Sequence, residues 1–228
     1  MSTTTTSRSP QMSPHSQQIA SGVFEVAHPL IECHLTALRD QSTSPLSFRA
    51  HVRRLATLLA YEATQDLLIE QVPVTTPLTK TTGGKLAQRI GLVPILRAGL
   101  GMVDPVLDLI PTAEVWHLGL YRDEDTAQPV EYYSKLPPDH PVDVALVVDP
   151  MLATGGSMLA ALETLRTWGV TQVKLLSIIA SEEGIKNVEA EFPDTQIYVC
   201  KIDPDLNDVK YIVPGLGDAG DRIFNTLD

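Results

Sequence analysis

At 228 residues the chain is long enough for one full α/β core and leaves little room for a second independent domain. Its 17 Lys and Arg face 28 Asp and Glu, a net charge of -11, so a sequence-independent grip on nucleic acid or an anionic membrane is disfavoured and any anionic ligand must be held locally. Cys33 and Cys200 belong to no CxxC or Cys/His cluster, no apolar run approaches the roughly 20 residues of a membrane span, and the N-terminus lacks an apolar signal core. These features lead us to expect a soluble, cytoplasmic protein with free thiols.

Residues Met1 to Ser21 are rich in Ser, Thr, Gln and Pro and nearly empty of apolar side chains, which predicts a disordered tail, with the folded unit covering 22–228. A transit peptide is the minor alternative, since only Arg8 is basic there. After His28-Pro29-Leu30, the string Ser47-Phe48-Arg49 opens a helical pattern through Val52, Leu55, Leu58, Leu59 and Leu67, expected to run to about Glu70. Val72 to Lys85, with two prolines and Gly83-Gly84, reads as an edge hairpin. Ile90 to Leu96 is a buried strand. It runs into Arg97-Ala98-Gly99 and then the apolar pattern Leu100, Met102, Val103, Val106, Leu107, Ile110: a strand, a cationic corner and a helix. Glu114 to Tyr121 is a third strand, followed by the acidic turn at Arg122 to Asp125 and the alternating Val130 to Tyr133.

The stretch from Val144 to Trp168 carries most of the chemistry. Val144, Leu146, Val147 and Val148 form a short strand of the kind buried on both faces, and Asp149-Pro150 ends it. Thr154-Gly155-Gly156-Ser157 supplies hydroxyls and unhindered amides, and Met158, Leu159, Leu162 and Leu165 follow at helical spacing. Orphan amides and a helix dipole suit a phosphate monoester there, with Asp149 placed to accept from sugar hydroxyls. Read alone, the cluster fits a plain strand-to-helix connection with Ser157 as cap equally well. Val173 to Ala180 and Gln196 to Ile202 add strands around the helical Glu182 to Phe192, and this alternation implies a mainly parallel sheet flanked by helices. Arg97, Arg122 and Asp149 then gather at its carboxyl edge, where such sheets bind ligands.

Gly215-Leu216-Gly217-Asp218-Ala219-Gly220 matches GxGxxG but fails as a dinucleotide fingerprint, because the chain ends at Asp228, before a following strand and acid. The six histidines form no HExxH pair, and neither GxSxG nor GxxxxGK[ST] occurs. Each histidine reads as structural or superficial.

Taken as a whole string, DPMLATGGS resembles the phosphoribosyl-diphosphate (PRPP) loop of type I phosphoribosyltransferases, in the variant of the uracil phosphoribosyltransferase family. HPL, SFR, YEAT, VPILRAGLGM and the C-terminal PGLGDAGD extend the resemblance over roughly the last nine-tenths of the chain. Most of the wider superfamily has two adjacent acids where this chain has Asp149-Pro150, a departure shared with the uracil branch. The resemblance implies a type I phosphoribosyltransferase fold with a projecting β-arm after Arg122 and a C-terminal base-binding hood. It implies transfer of phosphoribosyl from PRPP to uracil, giving UMP and pyrophosphate. Carried over position by position, Arg97, Arg122, Asp149 and Asp218 are the catalytic set. Pro150, Met151, Leu152, Ala153, Thr154, Gly155, Gly156 and Ser157 join them around PRPP, and Ile212, Gly217, Asp218 and Ala219 meet the base. Mg²⁺ is implied as cofactor, held mainly by PRPP and not by a protein metal site. A homodimer or homotetramer is implied, and GTP activation, known in some relatives, stays open. The alternatives are transfer to another base, and a non-catalytic regulator binding nucleotide or RNA through the same fold.

Overall fold

The computed structural model describes residues 16–122, 129–134, 136, 137 and 139–226, with the backbone alone described from 120 to 134. Two strands, β1 (Ser16–Ala20) and β2 (Val23–Val26), precede the helices α1 (Pro29–Arg39) and α2 (Pro45–Ala63). The hairpin β3 (Ile69–Thr75) and β4 (Lys80–Leu86) leads to β5 (Ile90–Leu96), a 3₁₀ turn at Ala98–Met102 and α3 (Val103–Leu109). Strands β6 (Glu114–Val115), β7 (Leu118–Arg122) and β8 (Pro129–Ser134) follow, then β9 (Val144–Val148), β10 (Met151–Leu152) and α4 (Gly156–Trp168). The chain closes with β11 (Gln172–Ser181), α5 (Glu182–Glu191), β12 (Gln196–Asp203), the short β13 (Asp205–Leu206) and β14 (Ile212–Val213), and α6 (Ala219–Phe224).

The main sheet runs β1-β2-β12-β11-β9-β5-β7-β8, parallel from β2 to β7 and antiparallel only at its two outer pairs. It is the mainly parallel, helix-flanked sheet expected from the alternation of elements. Strand β9 shows why its sequence is a continuous apolar run. Val144, Leu146 and Val148 face the core shared with α1, α2, α3 and α6, while Ala145 and Val147 face the core under α4 and α5. With helices on both faces, neither set can be polar.

Four expectations need correction. Ser16–Ala20 belongs to a paired strand, and the Ser16 hydroxyl donates to Glu62 Oε2 at 2.8 Å, so the predicted tail is shortened from its C-terminal end; residues 1–15 lie outside the described part. Helix α2 stops at Ala63, short of Glu70. There the fully buried Lys174 reaches across from β11 and donates to the Ala63 carbonyl at 2.6 Å while also pairing with Asp66, so the helix's last carbonyl is met by a cation remote in sequence. The hairpin forms, but as a separate two-stranded sheet and not as an edge of the main one. The third strand is broken in two around Trp116 and His117. No helix among the described residues is long and apolar enough to cross a membrane.

Candidate active site

Strand β9 delivers Asp149 to the carboxyl edge of the sheet. Pro150 then spends its carbonyl on the amides of Ile178 and Ile179, at 3.0 and 3.1 Å, and Met151-Leu152 pairs with β11 as β10. The residues between the acid and the glycines are thus stitched to the sheet, where local sequence shows only a connection from strand to helix. The next turn is held from α5: Ser181 Oγ donates to the Ala153 carbonyl at 2.6 Å, and Asn187 Nδ2 to that of Thr154 at 3.0 Å. Gly184 lies against this turn so tightly that a β-carbon there would stand 2.3 Å from the Ala153 oxygen. Gly155 takes φ +87° immediately before α4, and no side chain caps that helix. The first amides of α4 have no intrahelical acceptor and open toward a cavity of about 80 Å³ lined by Asp149 and residues Met151 to Met158. An anion of phosphate size matches both the space and the polarity.

Asp149 is mostly shielded from water, and this burial pushes its carboxyl up to about 7; the nearby Asp218 carboxylate adds to the shift, and the Met151 amide opposes it. A carboxylate held this close to neutrality responds strongly to a cation placed beside it.

Arg97 follows β5 directly, after a cis Leu96-Arg97 peptide bond. Its side chain is 60% exposed, and Nη2 donates to Asp221 Oδ1 at 3.1 Å. Gly99 brings this corner against β9, where a β-carbon would meet the Val148 oxygen at 2.4 Å. Arg122 closes β7, opposite Pro129 of β8; its side chain lies outside the described part, as do residues 123–128 at the tip of the expected arm.

The C-terminal segment is anchored from behind. Arg39 donates to Asp203 Oδ1 at 2.7 Å and to the Gly215 carbonyl at 2.9 Å, and Asp203 in turn accepts from the Gly215 amide. Buried Arg222 donates to the Leu216 and Asp40 carbonyls, each at 2.7 Å, and to that of Leu38, with its guanidinium 4.2 Å from the Phe48 ring centroid. The side chains of Ile212, Leu216 and Ala219 go into the core, so at Ile212 and Ala219 only main-chain groups are left for a ligand. Gly215 and Gly217 have φ +62° and +77°. Asp218 caps α6, accepting from the Asp221 amide at 2.9 Å, and lies 3.4 Å from the Tyr211 hydroxyl. A β-carbon on Gly220 would be 3.9 Å from both Ala98 Cβ and Arg97 Nη2, which ties this segment to the Arg97 corner.

The structure therefore assembles Arg97, Asp149, the turn from Met151 to Ser157, and Asp218 around one edge of the sheet. Sequence reading missed the supports: Ser181, Gly184, Asn187, Arg39, Asp203, Tyr211, Asp221 and Arg222. Among the described residues no group of three His, Cys, Asp or Glu side chains is arranged to hold a metal ion. A divalent cation would rely on substrate oxygens, with Asp149 or Asp218 as single carboxylate partners.

A parallel sheet with a strand-end acid, a glycine turn and a helix N-terminus at its carboxyl edge defines a nucleotide-type α/β enzyme class. Comparison narrows it. The family profile described as uracil phosphoribosyltransferase matches residues 25–226. A uracil phosphoribosyltransferase of Roseiflexus sp. (strain RS-1) is 58% identical over 199 residues, 87% of this chain and 96% of that protein. One from Bacillus thuringiensis (strain Al Hakam) is 52% identical over 200 residues, 87% of this chain and 96% of its own length. The solved structure of the AQ2163 protein from Aquifex aeolicus superposes with a TM-score of 0.84 at 39% identity, covering 89% of this chain and 97% of that one. An adenine phosphoribosyl transferase from Trypanosoma brucei, at 10% identity and a TM-score of 0.56, shares the fold over 88% of this chain and 91% of its own. The chain belongs to the uracil phosphoribosyltransferase family.

Proposed function

We infer that this protein transfers the phosphoribosyl group of PRPP to uracil, giving UMP and pyrophosphate, with the folded body from Ser16 onward acting as one catalytic unit. The observation that carries the reading is the convergence of the Arg97 corner, Asp149 with its glycine turn, and the Asp218 segment on one sheet edge, in a chain of this family. The 5′-phosphate seats on the amides and hydroxyls of Thr154 to Ser157 at the start of α4. Asp149 accepts from the ribose hydroxyls. Arg97 binds diphosphate oxygens, and Arg122 adds a second cation when the β7–β8 arm covers the site.

Bond cleavage at the anomeric carbon leaves positive charge on the sugar and negative charge on the departing pyrophosphate. The protein's task is therefore alignment and charge stabilisation, and no enzyme nucleophile is needed. Asp149, its carboxyl pushed up to about 7 and so only partly ionised near neutral pH, ionises more readily as the sugar gains positive charge and so stabilises the transition state more than the ground state. Asp149 or Asp218 would be the protein's partner to a substrate-held Mg²⁺, which would supply charge neutralisation for the leaving group. Main-chain groups of Ile212 to Ala219 read the base: a carbonyl accepts from uracil N3–H, and amides donate to the uracil oxygens.

The test of this site is a pair of variants. Arg97→Ala is expected to raise the KM for PRPP more than that for uracil, and Asp149→Asn to lower kcat. Parent kinetics in both variants would overturn the placement of the active site.

A further inference from the structure

Arg97 is a long, mostly exposed side chain on a corner, and a cation that must meet a diphosphate gains from being held still beforehand. The structure holds it from α6. Nη2 of Arg97 donates to Asp221 Oδ1 at 3.1 Å, and the same oxygen accepts from the Thr226 hydroxyl at 2.6 Å. Thr226 is itself tied back, its amide donating to the Asp221 carbonyl at 3.1 Å. The Asp221 amide donates to Asp218 Oδ1 at 2.9 Å, so the acid beside the base segment and the anchor of Arg97 occupy the same first turn of α6. That turn is fixed to the body by Arg222, whose guanidinium is buried among three carbonyls.

We propose that Asp221 is a positioning residue: by engaging one nitrogen of the Arg97 guanidinium it orients the remaining N–H donors toward the diphosphate of PRPP and keys that subsite to the base-reading segment through Asp218. The inference rests on the reading of Arg97 as a diphosphate ligand. A guanidinium carries five N–H donors in a fixed plane, so one contact with an immobile carboxylate sets the direction of the others without exhausting them. The Thr226 hydroxyl and the Arg97 guanidinium both hold the Asp221 carboxyl below the usual carboxylate range, which keeps it an acceptor at working pH. The pairing was not visible from local sequence: it spans 124 positions.

The full-length protein tests this with Mg²⁺-pyrophosphate as calorimetric probe, alongside steady-state kinetics. Asp221→Ala should weaken pyrophosphate and raise the KM for PRPP by about tenfold, the loss of one charge-assisted contact, while the KM for uracil moves less than about twofold. Asp221→Asn keeps an acceptor oxygen and should recover most of the loss. In an Arg97→Ala background the Asp221→Ala change should have no further effect on pyrophosphate. Thr226→Val, which loosens the anchor without touching it, should give a smaller loss in the same direction, and it decides the matter if Asp221→Ala fails to fold. Unchanged or tighter pyrophosphate binding in the folded variants, or an equal loss without Arg97, overturns the proposal. A parent that forms no UMP overturns the functional reading and this inference with it; an active parent with indifferent variants overturns the inference alone.

Discussion

Gly99 and Val148 approach so closely that a β-carbon on residue 99 would stand 2.4 Å from the Val148 carbonyl oxygen. The glycine is what lets the corner after β5 lie against the end of β9, and hence what lets Arg97 and Asp149 share a site. Gly99→Ala must push backbone from backbone, because the obstructing atom is a carbonyl and not the end of a flexible side chain. We expect a loss of about 1 to 3 kcal/mol, of the kind produced by overpacking, together with weaker PRPP binding. Denaturant unfolding and PRPP titration check it, and parent-like values for both would show that the corner moves freely.

Asp149 supplies a pH prediction with a definite sign. Its carboxyl is pushed from the ordinary 3.8 up to about 7 in the fold, chiefly by burial. The folded state thus binds the proton more tightly than the unfolded chain. The stability this contributes is fully present below about pH 3.8 and is lost as pH rises through about 7. Asp149→Asn removes the titration. The variant should match the parent in acid and become more stable than it by roughly 1 to 3 kcal/mol above neutrality, even as its turnover falls. Thermal melts from pH 4 to pH 8 measure the gap; a gap that does not widen across that range contradicts the burial of this carboxyl.

The sheet and the ligand edge were legible because they are local patterns. Val144 to Val148 is apolar at every position since both faces are covered, and Asp149 and Thr154 to Ser157 follow at fixed spacing. The end of α2 was not legible, because the group that meets the Ala63 carbonyl is Lys174, 111 positions away. Asp203 and Arg39 look like ordinary surface charges in the sequence, and only the fold brings them to both sides of Gly215. Gly184 showed no signal because it is a glycine inside a helix, where its reason is the approach of Ala153 and not a turn. Ala219 has its side chain buried in the core and Gly217 has φ +77°, so Ala219→Leu would disturb packing and a side chain at position 217 would strain the backbone, each in addition to crowding the base.

The strand at Ser16–Ala20 divides the N-terminus for experiment. Deleting residues 1–15 should leave the melting temperature and turnover of the parent. Deleting through Ala20 removes the pairing with β2 and one of the hydrogen bonds to the buried Glu62 carboxylate, which also accepts from Gln65 Nε2 at 2.6 Å. That longer deletion should lower stability by about 1 to 3 kcal/mol. Parallel melts of the two truncations decide it, and equal stabilities would mean that β1 contributes nothing to the sheet.

Uracil-dependent turnover of PRPP shows itself in base selection. Main-chain groups that accept from N3–H and donate to the oxygens fit uracil; cytosine presents an unprotonated N3 to the acceptor and an exocyclic amine to the donors. Each buried mismatch costs about 1 to 3 kcal/mol, so two should nearly abolish turnover. The measurement is nucleotide formation and pyrophosphate release from PRPP and Mg²⁺ with uracil, with cytosine, and with no base. UMP and stoichiometric pyrophosphate are expected with uracil and almost nothing otherwise. Pyrophosphate release indifferent to uracil, or equal use of the two bases, would contradict it.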